Sequence, residues 1–125
     1  MSRMDEAKVL LEDLHSRVAE LDDIAIARTN GLVIYSLRTS ISTDDKSERM
    51  LGGMASALFS VSNRASSELM KGDFRSLNIE ISTGNIFIIY TGRVILVALT
   101  KKDPNLGLLS LELEEAAEKL NTIFS

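Results

Sequence analysis

Between Asp5 and about Leu21, the apolar residues Ala7, Leu11, Leu14, Val18 and Leu21 recur at spacings of three and four, with Glu6, Lys8, Asp13 and Arg17 off that stripe. This is the pattern of a helix with one buried face. Two apolar runs follow, Ile24–Ala27 with Arg28 and Leu32–Leu37, separated by Thr29-Asn30-Gly31. The Asn-Gly pair predicts a tight antiparallel hairpin, because both residues tolerate positive φ. The second run is apolar on both alternating faces, which predicts a strand covered by helices above and below. After a polar loop, Asp45-Lys46-Ser47-Glu48 reads as an acidic N-cap with Glu at the third helical position, and Lys71-Gly72 as the stop, the glycine taking the left-handed conformation. The intervening helix is about 26 residues, roughly 39 Å at 1.5 Å per residue.

Arg75 to Ser82 alternates strictly: Leu77, Ile79 and Ile81 on one face, Ser76, Asn78, Glu80 and Ser82 on the other. A strand wet on one face is expected at a sheet edge. Thr83-Gly84-Asn85 and Gly92-Arg93 mark turns around Ile86–Tyr90 and Val94–Leu99, two apolar runs that predict central strands. Beyond Lys101-Lys102-Asp103-Pro104-Asn105, the spacing of Leu109, Leu113, Ala116, Ala117, Leu120 and Phe124 predicts a final amphipathic helix. The expected fold is therefore α/β of the α+β type, in the order α-β-β-α-β-β-β-α, with the sheet sandwiched by helices. No repeat or linker divides residues 1–125, so one domain is expected.

Composition narrows the chemistry. The chain has 125 residues, 45% hydrophobic and 26% charged, enough for one globular core. A net charge of -4 without a basic run argues against nucleic acid as a partner. With no cysteine, disulfides and thiolate sites are excluded, and the cytoplasm is the expected compartment. Acids at Asp5 and Glu6 interrupt any leader-like apolar stretch, and no run approaches a membrane span, so no targeting or membrane insertion is expected.

Catalytic constellations are missing. His15 is the only histidine, and without cysteine or a second imidazole it reads as a residue at a helix boundary. Asp22-Asp23 and Asp44-Asp45 precede predicted elements, where acids serve as turn formers or caps, and neither has the ligand spacing of a calcium loop. Gly52-Gly53 falls inside the long helix and not at its start, so it forms no phosphate loop. Ser62 and Ser66 have no general base at a recognisable spacing. No catalytic residue, metal or cofactor is expected.

The long helix is more informative. At 100° per residue, Met50, Leu51, Met54, Ala55, Leu58, Phe59, Val61, Ala65 and Leu69 cover about half its circumference, and that half is expected to be buried. The other half holds Arg49, Gly53, Ser56, Ser60, Asn63, Arg64 and Ser67, small polar residues that would let another backbone approach. Joined with the edge strand carrying Ser76, Asn78, Glu80 and Ser82, this face is the expected dimer or partner interface.

The order of elements, together with Asn30-Gly31-Leu32-Val33-Ile34, the helix end Leu69-Met70-Lys71-Gly72, the strand Leu77-Asn78-Ile79-Glu80-Ile81 and Asn105-Leu106-Gly107-Leu108-Leu109, resembles the roadblock family of dynein light chains and its bacterial and archaeal relatives that regulate Ras-like GTPases. The resemblance implies a profilin-like five-stranded antiparallel sheet, first and last helices on one face and the second on the other. It implies homodimers, or heterodimers with a paralogous chain, in which third strands pair and second helices lie side by side. It implies no nucleotide hydrolysis by the chain itself, but a platform for a small GTPase; the alternatives are a nucleotide-independent adaptor and, from another class, a small-molecule sensor.

Overall fold

Residues 1–125 are described by a computed structural model. Helix α1 (Arg3–Arg17) is followed by strands β1 (Leu21–Ala27) and β2 (Val33–Leu37) and by helix α2 (Asp45–Ala65), which runs into a π-helical turn at Ser66–Met70. Strands β3 (Ser76–Ile81), β4 (Gly84–Tyr90) and β5 (Ile95–Thr100) precede helix α3 (Leu106–Phe124). The five strands form one antiparallel sheet in the order β2-β1-β5-β4-β3. The predicted fold and element order are the observed ones.

Each boundary has a local cause. Ser2 caps α1 in a reciprocal pair: its Oγ accepts from the Asp5 amide at 3.1 Å and its own amide donates to Asp5 Oδ2 at 3.3 Å. The apolar stripe outlasts this helix, because α1 stops at Arg17 while Val18 and Leu21 remain buried. The N-cap of α2 is Asp44 and not Asp45: Asp44 Oδ1 accepts from the Ser47 amide at 2.7 Å. That bond, with the hydroxyls of Ser47 and Ser42, holds the Asp44 carboxyl below its ordinary range. At the other end Lys71, not Gly72, is left-handed, at φ 54°. The π-helical turn shifts the closing bonds onto the Ser66 carbonyl, which accepts from both Lys71 and Gly72. In the first hairpin only Gly31 has positive φ, 97°; the Gly31 amide bonds the Arg28 carbonyl. This is a longer loop with a bulge at Ile26/Ala27 instead of the two-residue turn that Asn30-Gly31 predicted.

β2 is an edge strand, half-buried throughout, and as its two-sided apolar pattern predicted, helices lie against both of its faces, α1 on one and α2 on the other. The Tyr35 hydroxyl reaches Glu12 of α1 at 3.2 Å, and partial burial raises the phenol. β1 is the buried strand of this hairpin.

α1 and α3 share one face over the larger core, with Leu11, Leu14, Ile24, Ile26, Leu96, Leu113 and Leu120 almost fully inaccessible. Arg17 joins the two helices, with Nε 2.8 Å from Asp13 and Nη1 2.8 Å from Glu112. α2 alone covers the other face, over a smaller core of Ala25, Ala55, Phe74, Ile88, Ile95 and Val97.

The two Asp pairs are structural, though not as turn formers at positions 22 and 23, which lie within β1. Asp23 is 1% exposed. Its Oδ1 accepts from the amides of Thr39, Ser40 and Ile41 at 2.7, 3.0 and 3.3 Å, and its Oδ2 from the Ser40 hydroxyl. This carboxylate ties the β2–α2 loop to the centre of the sheet. Lys101 pairs with Asp22, whose carbonyl oxygen lies 3.2 Å from His15 Nε2.

Candidate functional site

Around its circumference α2 divides into three sectors, not two. The first faces the sheet. Ala55 is buried, and Leu51, Leu58 and Phe59 pack beside it. The Phe59 ring meets Phe74 edge-on at 5.9 Å and Tyr90 at 4.7 Å. Gly52 belongs to this sector too. A Cβ there would fall 2.0 Å from the Gly31 carbonyl oxygen, so only glycine allows α2 to touch the first hairpin. One turn on, Ser56 Oγ donates to the Thr29 carbonyl of the same loop. Gly52 and Ser56 are thus small for the sake of their own chain.

The second sector is apolar and exposed. Met50, Met54 and Val61 are 55%, 59% and 70% accessible, and with Ala57 they follow the i, i+4, i+7, i+11 spacing of a single stripe. Leu69 and Met70 continue the exposure on the π-helical turn. The expectation that Met50, Met54, Val61, Ala65 and Leu69 would be buried is therefore overturned. One helix resting on a sheet contacts it over only part of its girth, and an apolar half-circle is wider than that contact. Contiguous exposed apolar patches on folded domains are candidates for protein contact.

The third sector carries Arg49, Gly53, Ser60, Asn63, Arg64 and Ser67, all exposed. Gly53 would meet nothing within 4 Å if it gained a Cβ, the opposite of its neighbour Gly52. Arg64 pairs only with Glu68, at 3.1 Å, an exposed pair that contributes little.

β3 is an edge of the sheet, as its alternation predicted. Leu77 and Ile79 are half-buried, Leu77 against the small core beneath α2. Ser76, Asn78 and Glu80 are exposed on the opposite face, where the Asn78 side chain accepts from Asn85 Nδ2 at 3.0 Å. Ser82 follows, exposed in the turn. The residues singled out on α2 and those on β3 thus point to opposite faces of the sheet. On the α2 side β3 presents Leu77, Ile79 and Ile81, the last 45% exposed, so its backbone edge and these apolar side chains are what it can share with α2 in one interface.

No helix is long and apolar enough to cross a membrane. The buried Asp23 carboxylate accepts from three amides and the Ser40 hydroxyl of one loop, and His15 Nε2 lies 3.2 Å from the Asp22 carbonyl oxygen.

Residues 7–100 match the model of the Roadblock/LC7 domain, a stretch that ends before α3. The uncharacterized protein MJ1340 of Methanocaldococcus jannaschii is 35% identical over 96 residues, covering 76% of this chain and 80% of the relative. Among solved structures, the Roadblock/LC7 domain from Streptomyces avermitilis superposes with a TM-score of 0.80 at 21% identity, over 90% of this chain and 92% of the other. The gliding protein MglB from Thermus thermophilus gives 0.85 at 14% identity, over 99% and 92%, so α3 is present in that fold as well. The element order, the two-sided helical cover and the match over residues 7–100 together place the chain in the Roadblock/LC7 domain family.

Proposed function

We propose that the chain is a non-enzymatic cytoplasmic module that pairs with a second roadblock chain, in the simplest case a copy of itself, and that the pair binds and regulates a Ras-like small GTPase. The observation carrying this reading is the exposed stripe Met50, Met54 and Val61 on a helix of the same domain as an unpaired edge strand. Antiparallel pairing of two β3 edges would satisfy their outward backbone groups, and two α2 helices alongside would cover each other's methionines. Methionine suits such a surface, being flexible enough to fit either a twin or a paralogue. Ser76, Asn78, Glu80 and Ser82 then lie along the strand junction. Arg49, Gly53, Ser60, Asn63, Arg64 and Ser67 flank the helix pair, where a GTPase can dock; Ser56 is already committed to Thr29.

Sedimentation should give twice the 13.7 kDa chain mass. Val61→Glu places a carboxylate in the apolar stripe of both subunits, and the dimer dissociation constant should rise by about 30-fold, the effect of a 2 kcal/mol hot spot. Ser60→Glu, on the flanking sector, should leave the dimer mass in place. An unchanged dissociation constant for Val61→Glu would refute this interface. For the GTPase, titration of the dimer against a Ras-like GTPase from the same genome, loaded with GDP or a GTP analogue, should show preference for one nucleotide state and a changed hydrolysis rate. Binding indifferent to nucleotide would instead identify an adaptor.

A further inference from the structure

β2 is the second open edge of the sheet. Its residues Val33, Ile34, Tyr35, Ser36 and Leu37 include no charge and no proline, two devices by which sheet edges are kept from pairing. The bulge at Ile26/Ala27 lies towards the hairpin turn, and Tyr35, Ser36 and Leu37 keep regular register with β1. An edge strand of this kind turns the N–H and C=O of alternate residues outward.

We infer that β2 pairs antiparallel with β2 of a second copy, about a twofold axis at Tyr35, so that the chain associates through both edges of its sheet. This junction does not depend on the β3 pairing proposed above. Charge selects a second copy as the occupant. Tyr35 touches two exposed side chains of α1: Lys8 Nζ lies 5.6 Å from the ring centroid, and the Tyr35 hydroxyl donates to Glu12 at 3.2 Å. Neither Lys8 nor Glu12 belongs to an ion pair of its own chain. Because both adjoin Tyr35, a twofold there brings Lys8 of each copy to Glu12 of the other. The flank is self-complementary, and two attractive contacts form at once.

The dimensions agree. α1 rests over β1 and β2 alike, so its axis lies about half a strand spacing inside β2. Joining two β2 strands sets the two α1 axes about two strand spacings apart, roughly 9–10 Å. Packed helices stand about 8–10 Å apart, so strand pairing and helix packing are satisfied together. β2 and β3 lie at opposite edges, and use of both strings copies into an extended sheet instead of a closed pair. The β2 junction consists of short strands and surface ion pairs, which makes it the weaker of the two and fills it at higher concentration.

Sedimentation of the full chain at low salt, from about 1 µM to about 1 mM, spans the range of weak association. The mass should climb past twice 13.7 kDa at the upper end, and added salt should reverse the rise. Lys8→Glu or Glu12→Lys alone makes both contacts repulsive and should weaken the junction about tenfold. The swap Lys8→Glu/Glu12→Lys should restore it, as should mixing the two single variants. Ser36→Lys, which charges the edge itself, should abolish it, whereas Val61→Glu, directed at α2, should leave it intact. A dimer lost in Lys8→Glu but kept in Val61→Glu would overturn the β3 pairing and uphold this one. A mass that never exceeds two chains, with Val61→Glu monomeric throughout, would overturn the β2 junction alone. A charge swap that associates no better than the single variants would overturn it as well.

Discussion

Asp23→Ala should lower the unfolding free energy by about 3–5 kcal/mol, a large share of the roughly 6–19 kcal/mol expected for a domain of 125 residues. The carboxylate is inaccessible and receives the amides of Thr39, Ser40 and Ile41 together with the Ser40 hydroxyl. Truncation removes the acceptor shared by those donors in a part-buried loop, and hydrogen bonds to a charged group are about twice as strong as neutral ones. Asp23→Asn keeps an acceptor oxygen and should lose less than half as much. Urea denaturation at fixed protein concentration would measure both, with the slope of the transition showing whether the native state stays compact. Because the loop leads directly to the Asp44 cap, faster amide exchange should begin at the start of α2. An Asp23→Ala chain as stable as the parent would mean that the loop is held by something else.

Neighbouring glycines should respond in opposite directions. Gly52→Ala puts a methyl 2.0 Å from the Gly31 carbonyl oxygen; backbone lies on both sides of that contact, so relief requires α2 or the hairpin to move. A loss of about 3 kcal/mol is expected, at the upper end of overpacking effects. Gly53→Ala meets no neighbour within 4 Å and should gain about 0.5–1 kcal/mol, since alanine restricts the unfolded chain and favours helix. The comparison is internally controlled: both changes add the same methyl to the same helix. Equal effects at the two sites would contradict the close approach of α2 to Gly31.

Much of this organisation is legible in the residue pattern. The alternation of Leu77, Ile79 and Ile81 with Ser76, Asn78, Glu80 and Ser82 identified an edge strand, and the sheet order places β3 at an edge. The stripe Leu109, Leu113, Ala116, Ala117 and Leu120 identified α3, all five being buried. Periodicity succeeds here because each element has one neighbour, and burial on that side alone shapes the sequence. At β2 it reports the helices against both faces of an apolar strand, but not that this strand forms the other edge. Helix cover over a strand's faces and pairing at its edge are independent, and side chains report only the first.

The same limit governs α2. The amino-acid sequence determined that α2 is long and that about half its circumference is apolar. Which part of that half meets the sheet is a matter of how a cylinder rests on a plane, and only the tertiary structure decided it. Ala55, Leu58 and Phe59 turn inward, whereas Met50, Met54 and Val61 turn out. The fold likewise separated Gly52 from Gly53 and Ser56 from Ser60, pairs alike in composition but unlike in what stands 4 Å away. Sequence periodicity records that a side chain avoids water. The surface that excludes that water, whether the domain's own sheet or a second subunit, is set by geometry in three dimensions.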